Sequence, residues 1–240
     1  MRNKRWMIVA LGVTLALGVA AQALGVTAVQ TIDVQLGGKT TPKFDKKKFK
    51  ATSISVIASQ HQAEDPAGLP AKATQAKLVF DKKDVKFNPK AVPGCQPTAI
   101  ENTTTEAAKA ACGSSVIGSG SAVAALPLGA GGTRQDFPAV VTAFNRGDAK
   151  GILLHSRVGA PLNTTVVLQA TLSGSTLTVN IPPLAGGAGA IATFTVKINK
   201  KDYVQGRCAD KKIDTKATFT YSDAAPQTAT DSQKCKQKSS

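Results

Sequence analysis

Apolar and polar residues alternate with a period of two along much of this 240-residue chain. In residues 164–172 and 175–181 an aliphatic residue stands at every second position, and Ser173-Gly174 separates the two runs. Because successive side chains of a strand point to opposite faces, this pattern predicts a β-hairpin. Residues 137–144 and 151–158 predict a second hairpin. Its connection contains Arg146-Gly147-Asp148, the tripeptide of integrin ligands, which we interpret as ordinary turn chemistry.

Further strands are predicted wherever the alternation recurs, at residues 31–36, 52–59, 76–80, 85–87, 115–126, 191–198 and 213–221. Ten or so strands with frequent turns indicate an all-β fold, a β-sandwich with jelly-roll connections as one form of it. We expect residues 24–240 to form a single domain, and a split within the glycine-rich segment 126–135 is the alternative. Residues 39–50 are expected to be a basic linker, and residues 236–240 a frayed tail.

One segment departs from the strand pattern and predicts a short helix. Thr103 precedes Glu106 by three residues, which is the spacing of a capping box. Four alanines between residues 107 and 111 favour the helix, and Gly113 is expected to end it. In the strand that follows, Gly118 and Gly120 indicate a bulge or a close approach of backbone, either beneath a neighbouring loop or beside a ligand.

The N-terminus has the pattern of a secretory signal peptide over residues 1–23. A basic start is followed by an apolar run, and Ala21-Gln22-Ala23 matches the small-x-small cleavage site. An uncleaved anchor is the alternative, because residues 24–29 prolong the apolar run. With cleavage, no stable transmembrane segment is expected to remain, and the protein would be secreted, either extracellular or associated with the cell wall.

Four cysteines follow the leader, which suits an oxidising compartment. Of the three pairings that four cysteines allow, we favour Cys95–Cys112 and Cys208–Cys235, because each pair is near in sequence and brackets one structural unit. Closing the first loop would contribute about 3 kcal/mol to stability, and free buried thiols are the alternative. No C-x-x-C spacing occurs and both histidines are distant in sequence, so we expect no metal and no cofactor.

The chain carries a net charge of +15, which falls to +12 without the leader. A basic exported protein is suited to bind an anionic cell-envelope polymer, whereas the simpler alternative is a solubilising surface. The run Lys46-Lys47-Lys48 is too short and too poor in neighbouring aromatic residues to predict a nucleic-acid site.

Candidate catalytic side chains are few. His155 lies on a predicted strand, and His61 lies in a predicted loop with Glu64 and Asp65, half of the carboxylate pair that a glycosidase needs. The chain has no G-x-S-x-G, H-E-x-x-H or phosphate-loop motif. We therefore assign no catalytic residue and expect a non-enzymatic protein with a structural or binding role at the cell envelope. A secreted hydrolase with a carboxylate or histidine site is the alternative.

The pattern Pro93-Gly-Cys95, Ala-Cys112 and Val-Ile-Gly-Ser-Gly-Ser-Ala122, followed by Thr-Phe-Thr-Tyr-Ser222 and Lys-Cys235, resembles a loose group of exported actinobacterial proteins. The proline- and lysine-rich segment 42–50 is also similar to theirs. The resemblance implies export and a β-fold held by two local disulfides, and it implies no active site.

Overall fold

The fold of the computed structural model is all-β, as the alternation predicts. The structure describes residues 26–128 and 130–238, so the predicted leader lies outside the described residues. Within these ranges the chain forms one α-helix, α1 (Thr105–Cys112), and sixteen strands. The strands are β1 (Ala28–Leu36), β2 (Lys43–Phe44), β3 (Lys50–Thr52), β4 (Ile54–Gln62), β5 (Ala73–Phe80), β6 (Val85–Phe87), β7 (Val116–Leu126), β8 (Gln135–Asn145), β9 (Gly151–Val158), β10 (Thr165–Ser173), β11 (Thr176–Asn180), β12 (Ala190–Ile198), β13 (Val204–Gly206), β14 (Lys212–Tyr221), β15 (Gln227–Lys234) and β16 (Lys236–Gln237).

Eleven strands form one continuous antiparallel sheet in the order β1-β4-β12-β7-β8-β9-β10-β11-β5-β14-β15. The two edge strands meet through side chains, because the Val34 N–H donates to Asp231 Oδ2 at 2.9 Å and the Leu36 N–H donates to Gln233 Oε1 at 2.8 Å. The sheet therefore folds over onto itself and covers its own edges. Its two halves pack against each other in the two-layer manner of a β-sandwich. Both predicted hairpins are confirmed as β8–β9 and β10–β11.

Two small sheets lie at one end of the large one. Strand β13 pairs with β3 and β6, and β16 pairs in parallel with β2. The segment predicted as a linker thus contains strand β2. The predicted frayed tail is also wrong for its described part, since the Lys236 N–H donates to the Pro42 carbonyl and the Lys238 N–H donates to the Phe44 carbonyl, both at 2.8 Å.

The predicted helix is present, but its caps differ from the prediction. Thr104, not Thr103, is the N-cap, and its hydroxyl accepts the Ala107 N–H at 3.2 Å. The Thr103 hydroxyl instead donates to the Ile100 carbonyl at 2.7 Å. The predicted capping box is therefore wrong, because the third residue after Thr104 is Ala107 and not Glu106. Gly113 has φ −58°, which is right-handed, and begins a further 3-10 turn. It therefore does not end the helical path as a left-handed cap would.

Both disulfides have the predicted pairing, Cys95–Cys112 and Cys208–Cys235. The first joins the C-terminal end of α1 to the loop before it, within a buried cluster that includes Phe144 of β8. The second joins the loop after β13 to the segment between β15 and β16. Disulfides of this kind indicate a protein that works outside the reducing cytoplasm.

The close approach at Gly118 and Gly120 is confirmed, but its partner is neither a loop nor a ligand. A Cβ at Gly120 would lie 1.8 Å from the Thr195 carbonyl oxygen, and one at Gly118 would lie 2.0 Å from the Lys197 carbonyl oxygen. Both oxygens belong to β12, the neighbouring strand. Glycine is needed here because any side chain would collide with the backbone of the same sheet.

Candidate functional site: the basic end of the sheet

Four lysine-rich segments that are distant in sequence meet at one end of the sheet. They are residues 43–50, 81–86, 200–212 and 234–238, and we call them together the basic end. The pairing of β13 with β3 and β6 brings the first three segments together, and the pairing of β2 with β16 adds the fourth. The Cys208–Cys235 disulfide joins the third segment to the fourth.

The basic end carries most of the excess positive charge of the chain. Its segments contain sixteen lysine and arginine residues and five aspartates, a formal charge of +11, whereas the remainder of residues 24–240 carries +1. All fifteen lysines of the basic end are exposed to solvent. Charge is therefore segregated to one end of the molecule, which creates a positive potential there.

Arg207 connects three of the segments. Its guanidinium lies over the ring of Phe49, 4.7 Å from the ring centroid. Its Nη1 donates to the Lys47 carbonyl at 3.1 Å, and its Nε donates to the Lys83 carbonyl. Because these contacts satisfy backbone acceptors and an aromatic face, Arg207 acts as a structural centre of the basic end rather than as a free cation.

Two aspartates shape the backbone of the basic end. Asp45 Oδ1 accepts the N–H groups of Lys47 and Lys48 at 2.7 and 2.8 Å, and these two bonds lower the pKa of the Asp45 carboxyl. Asp84 is fully buried and its Oδ1 accepts the Ala209 N–H at 2.6 Å. Burial raises the pKa of the Asp84 carboxyl, so its negative charge is disfavoured within the fold.

The predicted histidine candidates do not converge on a pocket within the described residues. His155 is fully buried beside α1, and its Nε2 donates to the Thr103 carbonyl at 3.2 Å. Burial lowers the pKa of His155, which keeps the imidazole neutral. His61 lies on β4 rather than in the expected loop, opposite Val29 of β1.

The predicted carboxylates likewise have local partners. A hydrogen bond from the side chain of Thr27 lowers the pKa of Glu64, and Asp65 Oδ1 accepts the Ala67 N–H at 3.2 Å. A surface groove of about 570 Å³ beside the basic end contains other aspartates. In that groove Asp214 is paired with Lys212 at 2.9 Å, and Asp231 Oδ2 accepts the Val34 N–H.

The adhesion-like tripeptide forms a closed turn. Arg146 Nε donates to Asp148 Oδ1 at 2.9 Å, and the Arg146 side chain is only 16% exposed. The Gly147 N–H donates to the Cys95 carbonyl at 2.8 Å. Arg146 and Asp148 therefore bind each other, and a backbone hydrogen bond joins the turn to the disulfide loop. Both observations support the interpretation of this tripeptide as a structural turn.

The described part of the chain contains no group of three or more His, Cys, Asp or Glu residues with the arrangement of a metal site. Within the same residues, no helix is long and apolar enough to span a bilayer.

The basic end was not among the sites predicted from the sequence. The doublets Lys82-Lys83, Lys200-Lys201 and Lys211-Lys212 next to strand ends were a visible signal. Their convergence depends on the order of strands in the sheet, which a single sequence does not reveal.

Comparisons with known proteins assign no family to this chain. No family model matches it, and no curated protein matches it. Among solved structures, a DUF4466 family protein from Parabacteroides merdae ATCC 43184 matches with a TM-score of 0.33 and 8% sequence identity. The match covers 86% of this chain and 44% of that chain, so this chain spans less than half of that protein's length. A likeness at this level carries no inference about function.

Proposed function

We propose that this protein is an exported, non-enzymatic binding protein of the cell envelope that holds an anionic polymer on its basic end. The observation that carries the proposal is the segregation of charge, +11 at one end against +1 in the rest of residues 24–240. A solubilising surface would need only dispersed charge, whereas the fold gathers exposed lysines from four separate segments. The signal-peptide pattern and the resemblance to exported actinobacterial proteins support the same proposal.

The ligand class follows from the chemistry of lysine. Each ammonium group is a compact, strongly hydrated cation without the planar fork that selects one anion geometry. A surface of exposed lysines therefore suits a flexible polymer with repeated phosphate or carboxylate groups. It has no exposed aromatic platform on which bases would stack, since Phe44 and Phe87 are buried and Phe49 lies beneath Arg207.

The alternative, a secreted hydrolase, receives less support. Such an enzyme needs a nucleophile or base held near a second functional group in an accessible cleft. His155 is buried, and Glu64 and Asp65 are occupied by local hydrogen bonds.

The decisive experiment measures binding of the exported protein to linear polyphosphate and to polyglutamate, with neutral dextran for comparison. We expect binding to both polyanions at 50 mM NaCl and its loss at 1 M, where the Debye length falls to about 3 Å. The test variant is K46Q/K47Q/K48Q at the basic end. The matched control is K77Q/K109Q/K216Q, which removes the same charge from three exposed lysines elsewhere.

Each lysine close to an anionic surface contributes about 1 kcal/mol, so the test variant should bind polyphosphate roughly 100-fold more weakly. The control should change affinity by no more than about threefold, because its lysines lie outside the four segments of the basic end and are partly screened from a polymer bound there. Equal losses in both triple variants, or retention that does not respond to salt, would contradict a role for the basic end.

A further inference from the structure

An apolar cavity of about 100 Å³ lies between the two halves of the folded sheet. Its walls come from β1, β4 and β12 on one side and from β5, β9, β10, β11 and β14 on the other, and Phe87 of β6 adds to the lining. Along β4 the lining includes Ile54, Val56, Ala58 and Gln60, which are spaced two apart and therefore share the inward face, together with Ser59. Apolar cavities of comparable size stay dry and accept small apolar molecules.

The lining of the cavity is extended along the strands. On β4 it reaches from Ile54 to Gln60, six residues apart, which corresponds to about 20 Å of strand. A volume of about 100 Å³ holds only a small molecule. A short alkyl chain therefore fits the volume, and a fused ring system does not.

One polar group in the lining lacks a partner. Gln60 is 7% exposed, and its Nε2 donates to the carbonyls of Ala71, at 3.0 Å, and Ile191. These two bonds use both N–H groups and so fix the orientation of the amide. The remaining atom, Oε1, accepts no hydrogen bond from the described residues. A buried acceptor without a donor is costly, so a ligand that supplies one would gain affinity at this point.

We propose that this cavity binds a short linear alkyl chain that carries a neutral hydrogen-bond donor, a hydroxyl group, at the end next to Gln60. The apolar walls take the chain, and Gln60 Oε1 accepts the O–H. A carboxylate is disfavoured at the same position for two reasons. A carboxylate has only hydrogen-bond acceptors and so cannot donate to Gln60 Oε1. It would also place an unpaired negative charge in an apolar interior.

The half-buried residues of the lining are Leu177 near the basic end and Ile181 and Ile191 at the Gln60 end, among others, and we place entry at the Gln60 end because the hydroxyl would lie there. Ile54 and Phe80, at the end nearer the basic end, are each 2% exposed. Ile181 and Ile191, at the Gln60 end, are half-buried and belong to or adjoin the loop of residues 182–189. The ligand would enter at the end opposite the basic end, chain first, and would leave its hydroxyl near Gln60.

The test uses the exported protein with 1-pentanol and pentanoate as probes at pH 8, with binding measured by titration calorimetry. We expect 1-pentanol to bind with one-to-one stoichiometry and pentanoate to bind about tenfold more weakly or not at all. Ala58→Phe would fill the cavity from β4, and Leu177→Phe would fill it from the opposite wall. Both variants should lose 1-pentanol binding. Ile57→Phe is the matched control, because Ile57 is the β4 neighbour with 37% exposure and lies on the outer face.

The proposal is overturned if the wild-type protein binds no 1-pentanol, if the folded Phe variants bind it as the wild type does, or if pentanoate binds equally well. Thermal unfolding establishes which Phe variants are folded, and one folded variant suffices. Affinity for polyphosphate, measured on the same samples, should not change in either Phe variant. A failure of this proposal is thereby distinguished from a failure of the proposed function.

Discussion

Asn145 is the buried polar residue whose replacement should affect the fold most. It is the last residue of β8 and only 1% exposed. Its Nδ2 donates to the carbonyls of Val92 at 2.7 Å and Pro89 at 2.9 Å, and its Oδ1 accepts the Tyr203 hydroxyl at 3.2 Å. One side chain thus connects the loop before Cys95, the large sheet and the segment that leads into β13.

The cost of replacing Asn145 can be worked out from these bonds. Asn145→Ala leaves two carbonyls and one hydroxyl without partners, and each buried unsatisfied group costs about 1–3 kcal/mol. We expect a loss of about 3–5 kcal/mol, a large part of the stability of an ordinary domain. Asn145→Asp preserves the shape but turns an acceptor toward two carbonyl oxygens, so it should destabilise the fold at pH 7 at least as much.

Urea unfolding followed by circular dichroism gives the free energy of unfolding for each variant. Tyr203→Phe should cost about 1 kcal/mol, and its double-mutant cycle with Asn145→Ala should show a coupling of similar size. Asn199→Asp is the control, since Asn199 is exposed and should change stability by no more than about 0.5 kcal/mol. If Asn145→Asp proved as stable as the wild type, the network would not hold these segments together, and the reasoning would be refuted.

Three further predictions concern stability. Burial lowers the pKa of His155, so the unfolded chain binds a proton more readily than the folded chain does. The free energy of unfolding should therefore fall as the pH drops below about 6.5. In urea titrations at pH 8, 6 and 5, His155→Gln should reduce this dependence of stability on pH. Gly120→Ala should destabilise the fold by at least about 2 kcal/mol in thermal unfolding, because the new methyl group would collide with a carbonyl oxygen of β12. Gly113→Ala should stabilise the fold by about 0.5–1 kcal/mol, because Gly113 has open space around it and a helical φ. Replacing Cys208 and Cys235 with serine should cost about 3.5 kcal/mol, and more at low salt than at high salt, because the basic segments repel each other.

Features encoded within one contiguous stretch could be predicted from the sequence. Alternation in residues 164–181 was sufficient for the β10–β11 hairpin, because period and turn residues lie side by side. The disulfide pairing was also predicted, since each pair closes a short loop around a single unit. The helix was found through its alanines, but the sequence did not distinguish Thr103 from Thr104 as the cap because both hydroxyls stand near the helix start.

Features that depend on strand order could not be predicted. Asn145 has the sequence context of a turn, and its buried role arises because residues 89–93 and Tyr203 are brought to it by the sheet. The same holds for the basic end, whose second and third segments are separated by 113 residues, 87–199, and meet through the pairing of β13 with β6. Hydrophobic periodicity specifies which face of a strand is buried, but not which strand lies next to it.

The two proposals are compatible because they use opposite ends of one sheet. Every strand of the large sheet runs between the basic end and the end where Gln60 lies. A polymer held by the lysines is attracted over roughly one Debye length, about 8–10 Å in physiological salt, which is less than the roughly 20 Å between Ile54 and Gln60. The cavity mouth is therefore outside the reach of the bound polymer's charge. A protein fixed to the envelope by its basic end would present the mouth to the surrounding solvent, so that attachment and uptake of an alkyl chain do not compete.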